Sequence, residues 1–404
     1  MSTTGWPLAE QATDYTIRNV RAVLADRILQ DAAIVVRDGR IAAIEQGLRG
    51  GSAQLDGSNR LLIPGLIDIH TDALEKERMP RPGAALPWDF SLMSFESKLV
   101  AAGITTVFHG AGFQHHSAHG KERSVELALQ MCAHIDSAPR HRVDHRVLHR
   151  VDIRSQAGLD ALRRRLEDLR ASDVPPLVSH EDHTPGQGQY VDRTHMERYI
   201  MHTDGKPEAE AKAQVDWLIE ESRQTAPTRT AALAYLGELA HAGKIRLMGH
   251  DPDTAQVVDS MLDRGAIASE FPTTIMAARR SHELGLANVA GAPNVLRGGS
   301  HAGNVSAAEL VAAGLVDALA SDYLPSGLLA AVWVLVRERV CDLPAAVRLV
   351  TSGPARIAGL DDRGVIEVGK HADLLLVDDQ HHTWPHAVAT LTSPKVPAGL
   401  QVPA

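Results

Sequence analysis

Two potential metal ligands, His70 and Asp72, close the run Gly65-Leu66-Ile67-Asp68-Ile69-His70-Thr71-Asp72. The preceding residues are apolar enough for a buried strand, and alternation sends residues i and i+2 to the same side. Imidazole and carboxylate suit Zn²⁺ and similar divalent ions. Taken alone, one His-x-Asp is more often a hydrogen-bonded polar pair at a strand end. Here further His and Asp residues follow later apolar stretches. Asp152 ends one, His183 follows Leu177-Val178-Ser179, His250 follows Arg246-Leu247-Met248-Gly249, and Asp322 follows Leu319-Ala320-Ser321. Together these six residues offer three imidazoles and three carboxylates.

A shared metal site requires that the strands carrying them lie side by side. Strand-like stretches are Leu66–His70, Gly103–Phe108, Val147–Ile153, Leu177–Ser179, Ile245–Gly249, Ala266–Glu270, Ala287–Gly291 and Val316–Ala320. Between them, Phe95–Ala102, Glu122–Ala133, Ala157–Ala171, Glu208–Arg223, Thr228–Ala242 and Ala307–Ala313 read as helices. Alternating strands and helices predict a parallel (β/α)8 barrel, an α/β fold whose strands deliver site residues at their C-terminal ends.

The chain ends read differently. Tyr15–Leu24 alternates loosely, and Ala33–Ile41 reads as a hairpin around Asp38-Gly39. Gly364-Val365-Ile366 and Ala372–Val377 read as strands separated by Gly369-Lys370. Both ends are therefore expected to build one small β-sandwich domain, residues 1–62 plus 361–404, around a barrel of residues 63–360.

Two neighbouring ions need an anionic ligand between them. No lysine lies between Lys121 and Lys206 to serve as a carboxylated bridge. Asp152 is the first candidate for the bridge and Asp182 the second. Asp322 has a second role open to it: a carboxylate beside a metal-acidified water can accept its proton and pass it to a leaving group.

Composition narrows the classes. A net charge of −9 disfavours general nucleic-acid binding. No apolar run is long enough for a bilayer, and Met1 to Asp14 lacks a basic-then-apolar signal pattern. Cys132 and Cys341 are the only cysteines, which predicts no disulfide framework and a reducing, cytoplasmic setting. His115, His116, His119, His141, His381 and His382 lie in polar, loop-like stretches and read as surface residues. Arg163-Arg164-Arg165 reads as a solvated helix face.

Leu61–His70, Gly103–Val107 and Gly364–Leu374 resemble signatures of the amidohydrolase superfamily. Other segments are similar to one branch of it: His70-Thr71-Asp72, Pro80-Arg81-Pro82, Asp182–Gln187, Glu270–Thr274, Gly291–Asn294, Arg297–Asn304 and Ser321-Asp322-Tyr323. That branch is the phosphonate-metabolism protein M family, the α-D-ribose 1-methylphosphonate 5-triphosphate diphosphatases. The resemblance covers nearly the whole chain. It implies hydrolysis of a ribose 5-triphosphate to the 5-phosphate and pyrophosphate, by water activated at one or two divalent ions, zinc first among them. It also implies that His70, Asp72, His183, His250 and Asp322 are metal ligands. The chain departs from the family pattern in carrying Asp152 where a bridging Glu is expected, Ala73 where Asn follows His-Thr-Asp, and Phe95-Glu96 in place of a His-Asp pair.

A triphosphate brings roughly four negative charges, so short-range Coulomb attraction dominates its binding. Arg297-Gly298-Gly299-Ser300-His301 is the expected clamp, with a guanidinium fork, two flexible glycines and a switchable imidazole. Lys76 and Arg81 should overhang the same face, and Gln187, Gln189 and Arg193 follow His183 closely enough to hold ribose or phosphate oxygens. The expected partner is a phosphorylated small molecule, with no nucleic acid and no membrane; barrels of this type often pair as homodimers. Two other readings use the same residues. One is an amidohydrolase acting on a cyclic amide, an N-acyl group or an amino-purine; the other is a scaffold that has lost its chemistry.

Overall fold

The computed structural model describes residues 12–47, 55–114, 123–137, 142–169, 174–300 and 303–393. The chain opens with β1 (Tyr15–Val23), β2 (Ile28–Arg37), β3 (Arg40–Gln46) and β4 (Leu55–Pro64). β2 and β3 form the hairpin expected at Asp38-Gly39. Both turn residues have positive φ, 49° and 69°, as a two-residue hairpin turn requires.

Eight strands follow: β5 (Leu66–Thr71), β6 (Ile104–Phe113), β7 (Asp144–Asp152), β8 (Leu177–Glu181), β9 (Arg246–His250), β10 (Ala266–Glu270), β11 (Ala287–Gly291) and β12 (Ala318–Ala320). They pair in chain order, every pair parallel. A parallel bridge between Thr71 and Asp322 joins the last strand to the first. Asp68 reinforces it, accepting from Ser321 N at 3.1 Å and Ser321 Oγ at 2.5 Å. The eight sequence-predicted strands are all present. The main adjustments are β6, which runs on to Phe113, and β8, which runs on to Glu181.

The inner layer of the barrel is apolar: Ile67, Phe108, Leu148, Leu177, Met248, Ala268, Val289 and Ala318 pack together, joined by Ile357 and Leu360. A second layer, including Leu66, Leu99, Val107, Leu159, Leu236, Leu247 and Leu335, lies between the strands and the helices. Burying each such side chain contributes about 1.5–3 kcal/mol, so both faces of the strands are committed to packing. The imidazoles and carboxylates that face the cavity are therefore carried at or just past the strand ends.

The C-terminal strands β13 (Leu374–Asp378) and β14 (His386–Leu391) return to the first sheet, whose order is β14-β13-β4-β1-β2-β3. The small domain is thus one six-stranded sheet drawn from both chain ends, with β1 and β4 parallel and the remaining pairs antiparallel. Gly364-Val365-Ile366, expected as a strand, forms bends instead. Gly364 has φ 84°, and Ile366 still buries its side chain in the small-domain core with Ile17, Ile34 and Leu374. Its apolar character therefore reports burial and not strand pairing. The two units pack directly: a Cβ on Gly103 would fall 2.3 Å from Leu375 Cδ2. Among the described residues no helix is long and apolar enough to cross a membrane.

Candidate metal centre

The C-terminal ends of the barrel strands open into a cavity of about 370 Å³. His70, Asp72, His183, His250 and Asp322 all line it, so five of the six sequence-predicted ligands converge. Three residues at this rim hold left-handed backbone without being glycine: Asp251 (φ 51°), Phe271 (φ 55°) and Asp322 (φ 56°). Each lies just past a barrel strand. Such conformations cost about 1–3 kcal/mol and gather where geometry serves function.

Glu270, at the end of β10, organises the imidazoles. Its carboxylate is fully buried and accepts from His70 Nδ1 at 2.6 Å, His250 Nδ1 at 2.7 Å and Ser179 Oγ at 2.6 Å. An ionised carboxylate only accepts, so both Nδ1 atoms carry a proton and both Nε2 atoms are left to face the cavity. The two rings stack 5.9 Å apart, and His183 stands edge-on to His250 at 5.5 Å. Ligand atoms of His183, His250 and Asp251 lie within 4.8 Å of one another, as do those of His70, Asp72 and Asp322.

Buried charge here is strongly coupled. Burial opposes the His250 imidazolium, but Asp251 and Glu270 outweigh it and hold its pKa up at about 10. Burial lifts Asp251 to about 6 despite the pull of His250. Asp251 Oδ2 is buried with no hydrogen-bond partner, 3.6 Å from His250 Nε2. An orphaned carboxylate oxygen facing His250 Nε2, a nitrogen that releases its proton on binding a metal, fits a divalent cation, which would satisfy both groups at once. His183, His250 and Asp251 would hold such an ion, with His70, Asp72 and Asp322 beside them.

Asp152 does not join the group. Its Oδ1 accepts from Arg154 N at 2.9 Å and so caps the turn that follows β7. Asp182 is likewise committed, to Arg154 at 2.7 Å, Thr184 Oγ1 at 2.6 Å and Arg229 at 3.0 Å. Another acid, Glu181, which sequence reading passed over, stands beside His183 and is joined to Asp72 through Arg150. It is buried, and its Oε2 is 4.0 Å from His183 Nδ1. Burial would raise its pKa, but Arg150 and the neighbouring imidazoles bring it down to about 2. Alternation from Leu177 and Ser179 was the available signal, since it sends 181 to the same side.

Arg150, inside β7, was also missed. It contacts Asp72 Oδ1 and Glu181 Oε1, while Arg123 takes Asp72 Oδ2 at 2.6 Å and Glu75 Oε1 at 2.9 Å. A charged residue within Val147-Leu148-His149-Arg150-Val151 was the signal for it, because a lone buried charge demands a partner.

The expected phosphate ligands divide. Lys76 and Arg297 line the cavity, joined by Gln189, Ser300, Asn304 and Tyr323. Lys76 Nζ lies 5.2 Å from the Tyr323 ring centre. Gln187 instead donates to Asp182 O at 3.1 Å and holds its own loop. Arg193 is spent on Glu197 at 2.6 Å and Asp216 at 2.8 Å. Arg81 lines a neighbouring cavity with Arg78, Trp88 and Arg123. Gly298 and Gly299 close the helix Ala292–Arg297: Gly298 is left-handed (φ 71°), and their N–H groups donate to Val295 O and Asn294 O. Those donors are therefore used within the helix end. His301 lies outside the described residues.

A model of the amidohydrolase family matches residues 254–396. The alpha-D-ribose 1-methylphosphonate 5-triphosphate diphosphatase of Escherichia coli K12 is 36% identical over 381 residues, covering 91% of this chain and 98% of that protein. Among solved structures, an enamidase of the amidohydrolase superfamily superposes with a TM-score of 0.58 at 16% identity, covering 95% of each chain. An adenosine deaminase from Xanthomonas campestris with bound zinc gives 0.51 at 17% identity, covering 91% of this chain and 87% of that one. These two establish the fold; the E. coli relative goes further. The chain belongs to the amidohydrolase superfamily, in the family of the α-D-ribose 1-methylphosphonate 5-triphosphate diphosphatases.

Proposed function

We propose that this protein hydrolyses the α–β phosphoanhydride of a ribose 5-triphosphate, α-D-ribose 1-methylphosphonate 5-triphosphate, to the 5-phosphate and pyrophosphate. One observation carries the reading: in a chain so similar to the E. coli diphosphatase, five imidazole and carboxylate donors share a cavity with Lys76 and Arg297. A divalent ion bound among these donors, zinc in our reading, supplies an acidified water and offsets charge on phosphoryl oxygens.

The residues of the chain do the rest. Lys76 and Arg297 flank the cavity and hold the triphosphate oxygens, the guanidinium as a fork and the ammonium as a point charge. Gln189, Ser300 and Asn304 offer neutral hydrogen bonds to the ribose hydroxyls. Asp322 is half-buried at the rim, with its backbone fixed on both sides. Its N–H donates to His70 O at 3.0 Å, and its carbonyl accepts from Asp72 N at 2.7 Å. Its carboxylate accepts the proton of the attacking water as the new P–O bond forms, and the Pα–O–Pβ bond breaks to release pyrophosphate.

The test is to incubate metal-loaded protein with the ribose 5-triphosphate and follow the phosphorus products. The expected products are pyrophosphate and the 5-phosphate in equal amounts. Orthophosphate alone, or hydrolysis of an amide under conditions where the triphosphate is untouched, would overturn the assignment.

A further inference from the structure

Arg150 occupies an unusual place. Its side chain is only 5% exposed yet lines the cavity, and it reaches Asp72 with Nη1 and Glu181 with Nε. Asp72 stands beside His70 and Asp322, and Glu181 beside His183 and His250. The guanidinium therefore lies between the two triads, on the oxygens that a second divalent ion would need. Gly110 on β6 makes the room. A Cβ there would fall 2.7 Å from Asp72 Oδ1 and 2.9 Å from Arg150 Cδ. The other triad is arranged differently: Asp251 Oδ2 is buried and has no hydrogen-bond partner.

We propose that the protein holds one divalent ion, among His183, His250 and Asp251, and that Arg150 is the resident cation between Asp72 and Glu181. The inference rests on the metal-dependent reading and adds a number to it. A guanidinium stays charged at every working pH and does not dissociate. It satisfies both carboxylates by hydrogen bonds, and its charge repels a second ion from the same oxygens.

The experiment is metal stoichiometry with Zn²⁺ or Co²⁺ alone. Full-length protein is saturated with the metal, freed of excess by gel filtration and assayed by elemental analysis. One equivalent per chain is expected, with a cobalt spin-resonance spectrum free of coupling between ions. Arg150→Met, which removes the charge and leaves both carboxylates, is expected to take up a second equivalent and show such coupling. If Arg150→Met does not fold, Arg150→Gln takes its place. Two equivalents in the wild-type protein would overturn the inference and leave metal dependence standing. None would overturn both. One equivalent in the wild type and in a folded, neutral variant would remove Arg150 as the cause.

Discussion

Replacing Glu270 with glutamine separates the orienting role of that carboxylate from mere bulk. Glu270 Oε1 accepts from His70 Nδ1, and Oε2 accepts from His250 Nδ1 and Ser179 Oγ. An amide has one acceptor oxygen and one NH₂. Whichever way it turns, the NH₂ meets one imidazole nitrogen. That ring must then accept at Nδ1 and carry its proton on Nε2, where it cannot bind a cation, while the other ring keeps only a neutral acceptor in place of a carboxylate; His250 is the poorer ligand in either case. Losing one buried, charge-assisted hydrogen bond costs about 1.5–3 kcal/mol. Loss of an orienting partner independently weakens metal affinity by roughly 10–100-fold, a similar free energy. Glu270→Gln should therefore bind Zn²⁺ or Co²⁺ about thirtyfold more weakly than wild type, in competition with a chromophoric chelator. The substitution keeps the shape of the side chain, so far-UV circular dichroism should match the wild type. A folded Glu270→Gln protein whose metal affinity is within twofold of wild type would refute the reasoning.

Three other outcomes are expected. Asp322→Asn should lower kcat by about 10²-fold or more with an unchanged melting temperature, because the backbone contacts of residue 322 survive and only the proton acceptor is lost; wild-type turnover would discard that role. Lys76→Ala and Arg297→Ala should each lower kcat/KM for the triphosphate by about tenfold, a fraction of a full charge-assisted bond because both side chains are solvent-exposed. Arg193→Ala should leave kcat/KM unchanged, and steady-state kinetics on the three variants decides. Finally, burial, with help from the Arg165 charge, holds His149 down at about 4 from its ordinary 6.5. Its folded pKa lies below its unfolded one, so the unfolded chain binds more protons between those values. Stability therefore falls as pH drops from about 6.5 to about 4 and levels off below, with about 3 kcal/mol at stake for this group. Urea titrations at pH 7 and pH 5 should show a smaller difference in His149→Gln than in wild type; equal differences would contradict the assignment.

Features set by local pattern were legible in the sequence. Leu66–Thr71 and Arg246–His250 are short, largely apolar and carry an imidazole, His70 or His250, at or next to their last residue, and the ends of such strands meet once a barrel closes. What stayed hidden depends on pairing between distant segments. Arg150 is explained only by Asp72, just past β5, and Glu181, on the adjacent β8, 78 and 31 positions away in the chain. Asp152 looked like the bridge because it ends a strand, but its carboxylate turns to a backbone N–H two residues on, a local competition common for Asp. Gly298-Gly299 looked like a phosphate cradle, yet glycine after Arg297 is also the ordinary way to stop a helix. Arg193 could have been discounted from the sequence alone, since Glu197 lies four residues on along the helix. The helix Trp88–Ala101 begins seven residues before the expected Phe95. Its first turn is anchored from outside, by Trp88 Nε1 donating to Gln130 Oε1 at 3.1 Å.

The main chain of Asp322 stitches the eighth strand to the first, so the proposed proton acceptor sits on the seam of the cylinder. Any thermal fluctuation that parts this seam carries the acid away from its neighbours while the other seven strand pairs stay zipped. Heat should then silence the enzyme before it melts it, and amide exchange at Asp72 and Asp322 should quicken over the same temperatures as activity fades.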